Sequence, residues 1–549
     1  MPQVSYSTIG WWLPPANDAN SDSGLLFSDS ALRSITRPVY AVQTDKGEVA
    51  LTNAGQAVLA TPIAPSDKGM QLLAYVPALT PDRLGDAAFR SRYGLRMAYV
   101  SGSMANGIAS EDLAAAMAEQ GMLGFFGSAG LPLERTEAAI ISLRQRLGDR
   151  AYGLNLIHSP SDPAMEAKTV ELFLRHGVKL VEASAFMSLT LPLLRFRYAG
   201  IHRRPDGTIC APNGVMAKVS RLEMARKFLM PAPDSMLQAL VSAGALSAEQ
   251  AALAAEIPVC SELTAEADSG GHTDNRPAIS MWPTMLELRN RTAEQYGYWI
   301  PIGAAGGIST PISAAAAFAM GASYIVTGSI NQACVESGTC DKVREVLAKA
   351  GPADCTMAPA ADMFEMGVNV QVLKWGTMFP VKARKLYGWY RQYGSFAEMP
   401  ASVIEQIERD YLRCSVDECW ASTREFFARR DPQQIAKAEK DPKHLMALVF
   451  RSYLGQASRW ANSGDPTRCP DYQIWCGPSM GAFNEWAKGS CLEQPSGRHA
   501  GLAALNIMIG AAIEARADML RKQGIDIPAA RAMFAPLPEA ELKKLWCPQ

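Results

Sequence analysis

A chain of 549 residues exceeds one ordinary domain, so a large barrel with additions, or two to three domains, is the starting expectation. Its 53 basic and 54 acidic residues nearly cancel, which excludes an overall field for nucleic acid or an anionic membrane surface. Eleven cysteines without a CxxC pair or regular spacing point away from a disulfide framework or a zinc site; with an opening stretch, MPQVSYSTIGWWLPP, that lacks the pattern of a signal peptide, they predict a reducing, cytoplasmic setting.

Residues 1–90 carry polar turns and short β-leaning pieces (PVYAVQT, EVALT, MQLLAYVPAL), which predict a small β-rich N-terminal domain. From Arg96 strands and helices alternate: RMAYVSG, a helix over 110–120, MLGFFGS, a helix over 133–147, YGLNLI, a helix over 163–176, KLVEASA, GVMAKVS with RLEMARKFL, VCSELTA, a helix near 285–296, WIPIGAA and YIVTGS. Right-handed crossovers close eight such β/α units into a barrel, so the predicted class is α/β, a TIM (β/α)8 barrel over 91–340. Two longer gaps stand out. In the one after the fourth strand, PDG signals a turn and a hairpin; the other, before the sixth, reads as a helical insertion over 231–257. From 341 to 549 helical signals dominate, predicting a mainly helical extension that covers the barrel mouth, with a peripheral tail from Pro528. GLAALNIMIGAAIEA, from Gly501, reads as too short and interrupted for a membrane span, which needs about 20 apolar residues.

The stretch WIPIGAAGGISTPISAAAAFAMGASYIVTGS, 299–329, is one strand–helix–strand unit: Thr310 or Ser309 can cap its helix, Pro311 fits the first turn and Gly321 can end it. Gly306 and Gly307 follow the first strand, and Gly328 and Ser329 follow the next. Adjacent parallel strands bring these tips side by side as a cup of N–H groups and hydroxyls suited to a phosphate, whether of a cofactor or of a sugar-phosphate substrate. No GxGxxG or GxxxxGK[ST] motif is present, which weakens a Rossmann or P-loop reading.

Other candidates lie at strand ends. In EADSGGHTDNRP, His272 follows Gly270 and Gly271 and is placed for proton transfer, with Asp268 or Asp274 able to orient its ring; a histidine satisfying a loop carbonyl is the plain alternative. Gly102, Ser103, Met104, Ala105 and Asn106 offer a backbone floor for a flat ring, or simply tight packing. Asn155, in YGLNLI, could hydrogen-bond a heterocycle or bridge loop backbone. Lys218, in GVMAKVS, is unusual in an apolar strand unless its amine meets a charge or snorkels to the mouth.

The SGSMANG turn, Asn155 in GLNLI, the DSGGH loop, AAGGIST and GASYIVTGS, in that order over about 230 residues, resemble the flavin-dependent 2-nitropropane dioxygenase-like barrels. With FFGSAGLPLERTEAAI, GVMAKVSR, SGGHTDNRP and NVQVLKWGTMFPVKARKLYGWY, the chain from about Pro38 to beyond Ala487 is similar to the FMN-dependent trans-acting enoyl reductase subunit of polyunsaturated fatty acid synthases and trans-acyltransferase polyketide synthases. The resemblance implies FMN, reduced by NADPH, delivering hydride to the β-carbon of an enoyl thioester on an acyl carrier protein. It implies that Gly306, Gly307, Ser309, Gly328 and Ser329 hold the FMN phosphate and that Gly102, Ser103, Met104, Ala105, Asn155, Lys218 and Gly271 border the flavin. His272 matches the base of the nitronate-oxidising relatives, and its role here stays open between proton donor, thioester aligner and pocket residue. A nitronate monooxygenase and a non-catalytic flavin-binding synthase subunit are the alternatives. The basic, aromatic segment 374–393 offers Lys382, Arg384, Lys385 and Arg391 as a docking patch for an acidic carrier protein, or else forms a lid helix; a homodimer is the assembly to test.

Overall fold

The computed structural model describes residues 7–15, 29–59, 69–160 and 162–546; the first six residues of the opening stretch, and Cys547, lie outside them. Eight parallel strands close into a barrel in chain order: Tyr99–Ser101, Leu123–Phe126, Gly153–Ile157, Leu180–Ser184, Gly214–Val219, Glu262–Glu266, Ile302–Ala305 and Tyr324–Thr327. The last pairs with the first through Val326 and Val100, so no sheet edge is left open. Helices Glu111–Glu119, Leu133–Leu147, Pro163–Arg175, Leu191–Tyr198, Leu222–Leu229, Ala278–Tyr296 and Pro311–Ala319 pack outside. The sixth of these starts seven residues before its expected onset. The PDG turn closes the small hairpin His202–Arg203/Ile209–Cys210, and the insertion before strand six holds the helices Asp234–Ser242 and Ala248–Ala254.

Alternation along the strands sorts the barrel interior into layers. Its lower part is mostly apolar, filled by Phe89, Val100, Leu123, Phe125, Leu180, Met216, Tyr324 and Val326 around one paired carboxylate, Glu262. Glycine makes room for the rings: a Cβ at Gly303 would lie 2.0 Å from Tyr324, and one at Gly153 would lie 2.1 Å from Phe125. The helix Ala87–Tyr93 plugs the base, its Phe89 stacked on Tyr324 at 4.3 Å, so the barrel unit reaches back across residue 90.

The N-terminal region is a five-stranded antiparallel sheet, Val49–Thr52, Val39–Gln43, Met70–Val76, Gly10–Leu13 and Gln56–Leu59 in spatial order. It rests on the long helix Ala500–Lys522, whose buried Arg516 donates to the carbonyls of Leu32 and Arg37 at 2.8 and 2.7 Å. This helix is longer than its sequence suggests, with length and hydropathy enough to cross a membrane, yet 83% of its apolar window is buried within the protein. Its Gly510 lets it cross the helix Pro311–Ala319 closely, since a Cβ there would sit 2.6 Å from Pro311. The tail beyond Pro528 is not peripheral: Phe534 and Leu542 are buried, and Asn506 bonds both ways to the Leu537 backbone at 3.0 and 2.7 Å.

The extension is mainly helical, with Phe379–Gln392, Val416–Arg430, Pro442–Ser463 and Ser479–Ala487 as its larger pieces before the long helix, and it has its own core around Phe364, Trp389 and Phe450. After the short helix Asp341–Leu347, however, come two strands that its helical sequence character hides, Cys355–Pro359 and Asn369–Leu373. The second pairs with Gly271–His272, so the loop after barrel strand six becomes the third strand of the extension's sheet.

Candidate active site

The two glycine-ended strand tips come to lie side by side. Strands seven and eight are neighbours in register, Gly303 beside Tyr324, and their tips carry Gly306, Gly307, Gly328 and Ser329. The glycines differ in purpose. A Cβ at Gly306 would strike the Ala267 carbonyl at 2.7 Å, so that residue serves loop packing; Gly307, with φ +75°, and Gly328 have no atom within 4 Å of a Cβ position and face open space. Ser309 is fully buried and its Oγ has no hydrogen-bond partner, while its N–H is taken by Ser313 Oγ at 3.0 Å. Thr310, and not Ser309, caps the following helix in a capping box with Ser313. Ser329 Oγ accepts from the N–H of Gly477 at 3.1 Å, so the extension braces the cup. Two open glycine positions and a buried unpartnered hydroxyl fit a phosphate.

The upper layer of the barrel interior is charged. Glu182, on strand four, is fully buried and gathers three of the residues singled out from sequence. Its Oε2 accepts from the Ser103 N–H at 3.1 Å and from Ser103 Oγ, and lies 3.2 Å from Lys218 Nζ on strand five; its backbone oxygen accepts from Asn155 Nδ2 at 3.2 Å on strand three. Glu266, on strand six, lies 3.9 Å from the same amine. Burial alone would lower the Lys218 pKa, but Glu182 first and Glu266 second hold it above the usual lysine value. Glu266 goes the other way: burial pushes its carboxyl up, more than the nearby Lys218 pulls it down. Glu182 Oε1 has no partner.

Asn155 also bonds Ser184 Oγ at 3.1 Å, and its carbonyl accepts from Ser128 Oγ at 2.5 Å, so both of its amide hydrogens are held by the scaffold. The turn after strand one is fixed by backbone: Gly102 N–H donates to Thr327 O at 3.0 Å, and Met104 O and Ala105 O accept from Ala109 and Ile108. A Cβ at Gly127 would lie 1.7 Å from Met104 O, which shows how closely the second loop presses on that turn.

His272 is oriented from an unexpected side. Neither Asp268 nor Asp274 reaches it: Asp268 accepts from Asn275 at 2.8 Å and Gln371 at 2.7 Å, and Asp274 is gripped by both arms of Arg221 and by Ser220, which hold its carboxyl down at about 2. The partner is Asp362 of the extension, whose Oδ1 lies 3.1 Å from His272 Nε2. Burial would lower the histidine's pKa, but the hydrogen bond and charge of Asp362, with a contribution from Glu266, raise it; burial would raise the pKa of Asp362, and His272 lowers it. The paired glycines also do different jobs. Gly270 lets Cys476 pass at 3.0 Å from its Cβ position, and Gly271 takes φ +81°.

Lys382 of the basic segment is not part of a free surface patch. Its ammonium lies 2.5 Å from the fully buried Asp471 and 2.8 Å from the Asp410 carbonyl, inside the extension. Arg384 and Lys385 are exposed but bonded, to Thr356 at 2.7 Å and Gln406 at 3.0 Å, and Arg391 is exposed.

Sequence reading missed Glu182, Glu266, Asp362 and Gly477. Glu182 carried the same signal as Lys218, a charged residue in an apolar strand (KLVEASA), and the two strands are register neighbours. Asp362 and Gly477 carried none, because only the folded extension brings them to the mouth.

A nitronate monooxygenase family profile matches residues 96–381, and the inserted helical domain of acyl-carrier-protein S-malonyltransferase matches 393–472. The chain is 45% identical over 469 residues to a polyunsaturated fatty acid synthase subunit of a Thraustochytrium species, a match that takes in 84% of this chain and 31% of the relative. It is 45% identical over 424 residues to the polyketide biosynthesis protein PksE of Bacillus subtilis, covering 77% of this chain and 55% of the relative. It thus spans about a third to a half of these curated relatives. Among solved structures, the enoyl reductase domain of MlnA from the macrolactin cluster of Bacillus amyloliquefaciens matches with a TM-score of 0.75 and 38% identity, over 80% of this chain and 99% of that domain.

Proposed function

The chain belongs to the nitronate monooxygenase family, and from that premise we propose that it is an FMN-dependent, NADPH-reduced enoyl reductase that acts in trans on carrier-bound thioesters in polyunsaturated fatty acid or polyketide synthesis. The observation that carries this reading is the likeness to an enoyl reductase domain, which runs over 99% of that domain and, at 80% of this chain, reaches well beyond the barrel alone.

In this reading Gly307, Gly328, Ser309 and Ser329 hold the phosphate and Ser103, Met104, Asn155 and Lys218 border the ring. A flavin bound there would supply the hydride chemistry between NADPH and the enoyl β-carbon. The protein's own residues supply charge, orientation and a proton. Lys218, kept protonated by Glu182, sets a fixed positive charge at the mouth that stabilises negative charge developing on the ring or the enolate. His272, held by Asp362 with a raised pKa, is a donor for the α-carbon or the thioester carbonyl. The extension limits access of water by tying down the mouth at separate points: Asn106 to Ser458 at 3.2 Å, Asp162 to Arg430 at 3.0 Å and Gly271–His272 to Val370–Gln371. The partner in this reading is an acidic carrier protein in the cytoplasm, met by the outward-facing Arg384, Lys385 and Arg391.

The test is NADPH oxidation by the purified, flavin-loaded protein with a crotonyl thioester, with a nitroalkane, and with air alone. Saturated thioester as product supports the proposal. Nitroalkane oxidation without thioester reduction reassigns the site to nitronate chemistry, and neither reaction leaves a flavin-binding subunit.

A further inference from the structure

Glu182 sits at the centre of the upper layer, yet one of its oxygens does nothing for the fold. It is fully buried on strand four, level with Asn155 on strand three. Oε2 carries every bond that shapes the site: the Ser103 N–H, the Ser103 hydroxyl and the Lys218 ammonium. Oε1 is buried without a partner and lies 3.5 Å from where a Cβ on Gly102 would be, so it faces the glycine of the strand-one turn. Leaving a buried carboxylate oxygen bare is costly unless something supplies a donor. The fixed protein donors nearby are already committed, since both amide hydrogens of Asn155 are taken and the Gly102 N–H donates to Thr327 O.

We propose that Glu182 is a ligand-facing positioning residue: with Oε2 it fixes Lys218 and the Ser103 turn, and with Oε1 it receives an N–H from the edge of the bound heterocycle. This rests on the flavin reading above. The pattern of donors and acceptors agrees with it. A flavin's pyrimidine edge presents an imide N–H between two carbonyls, and the layer offers an acceptor, Glu182 Oε1, beside a cationic donor, Lys218 Nζ, held to the same carboxylate at 3.2 Å. A negative and a positive charge fixed together at one ring edge also tune the ring's electronics in opposite directions, since the ammonium favours the reduced, more anionic ring and the carboxylate opposes it.

The experiment measures FMN dissociation constants and flavin midpoint potentials for the wild type, Glu182→Gln, Lys218→Met and the double variant, with apoprotein thermal unfolding as the fold check. We expect Glu182→Gln to weaken FMN binding at least tenfold and to raise the potential, Lys218→Met to lower it, and the double variant to fall between the two. A carboxylate that only supported the fold would change the unfolding temperature and leave the potential of the bound flavin where it was; that result overturns the assignment. Should Glu182→Gln fail to fold, Ser103→Ala keeps the carboxylate and loosens its orientation, and an unchanged FMN affinity and potential there overturn it equally. A wild type that takes up no FMN at all removes the flavin reading and this inference together, whereas FMN uptake with an indifferent Glu182 removes this inference alone.

Discussion

Two carboxylates inside the same barrel, both fully buried, end up in opposite situations. At the base, Glu262 has both oxygens answered: Arg92 at 2.5 Å on one, Tyr93 at 2.5 Å and Ser261 at 2.6 Å on the other. At the mouth, Glu182 has one crowded oxygen and one bare one. The base cluster is closed on itself by the helix Ala87–Tyr93, and its cation belongs to that plug. The mouth cluster instead ends in Lys218, Glu266 and the glycine turn after strand one. A saturated buried charge reads as architecture, and a half-saturated one at the strand C-termini reads as a place where something binds.

The sharpest break in that comparison comes from the phosphate cup. Gly307→Asp places bulk and like charge in the open space at a φ of +75°, so flavin affinity should fall by more than about 100-fold and thioester reduction with it. The apoprotein should lose stability by the strain of a side chain at positive φ, about 1 kcal/mol, with no clash added because no existing atom is struck. Retained flavin, measured by absorbance and acid release, would sink the assignment of the cup.

The base should behave in the reverse way. Glu262→Gln strands Arg92 and Tyr93 and should cost about 2 kcal/mol, less than the usual figure for breaking a buried pair because the Arg92 side chain is half exposed. Denaturant unfolding reads the loss, while the potential and affinity of bound FMN stay at wild-type values. A changed potential would erase the distinction between base and mouth.

Lys382 sharpens the comparison from the extension. Asp471 is fully buried and is answered by Lys382, by Tyr453 at 2.9 Å and by Arg468 at 3.2 Å, so this cluster resembles the base and not the mouth. Lys382→Met should lower stability by roughly 1–2 kcal/mol and reduce turnover of carrier-bound and free thioesters alike. Arg391→Glu, on the exposed side of the same helix, should slow only the carrier-bound substrate, about two- to threefold, and mainly at low ionic strength. Matching losses for both variants on both substrates would return the whole segment to a structural role.

What the sequence disclosed follows from how local each signal is. The barrel was legible because each strand and helix carries its own period, and the cup because two glycine-ended strands lie adjacent whenever that period closes a barrel. Lys218 stood out as a charge in an apolar strand, and Glu182 carried the same signal one strand earlier without a visible partner, since parallel neighbours are brought together only by the crossover between them. The strands Cys355–Pro359 and Asn369–Leu373 were hidden by their short length and helical surroundings. The tail beyond Pro528 looked peripheral for a similar reason: its few apolar residues, such as Phe534, find their cover on a helix that begins nearly thirty residues before it.

The smallest expected effect is the most informative about the division between barrel and extension, because Asp362 and His272 come from different parts of the chain. His272 is raised above its ordinary 6.5, and Asp362 is depressed below its ordinary 3.8. A raised histidine contributes stability that is fully present below about pH 6.5 and is lost as pH rises through its folded value; a depressed carboxylate contributes stability present above about pH 3.8 and lost as pH falls through its folded value. The pair therefore favours the folded state most between those limits, and the difference in stability between wild type and Asp362→Asn should be largest there and shrink on either side. In catalysis the same substitution removes the group that keeps the ring protonated, so the high-pH limb of the thioester turnover profile should move to lower pH, with FMN binding unchanged. His272→Ala should lower turnover at every pH and show no such limb. If Asp362→Asn leaves the profile where it was, the extension only covers the mouth; if the limb moves, a residue of the extension sets the proton inventory of the barrel's histidine.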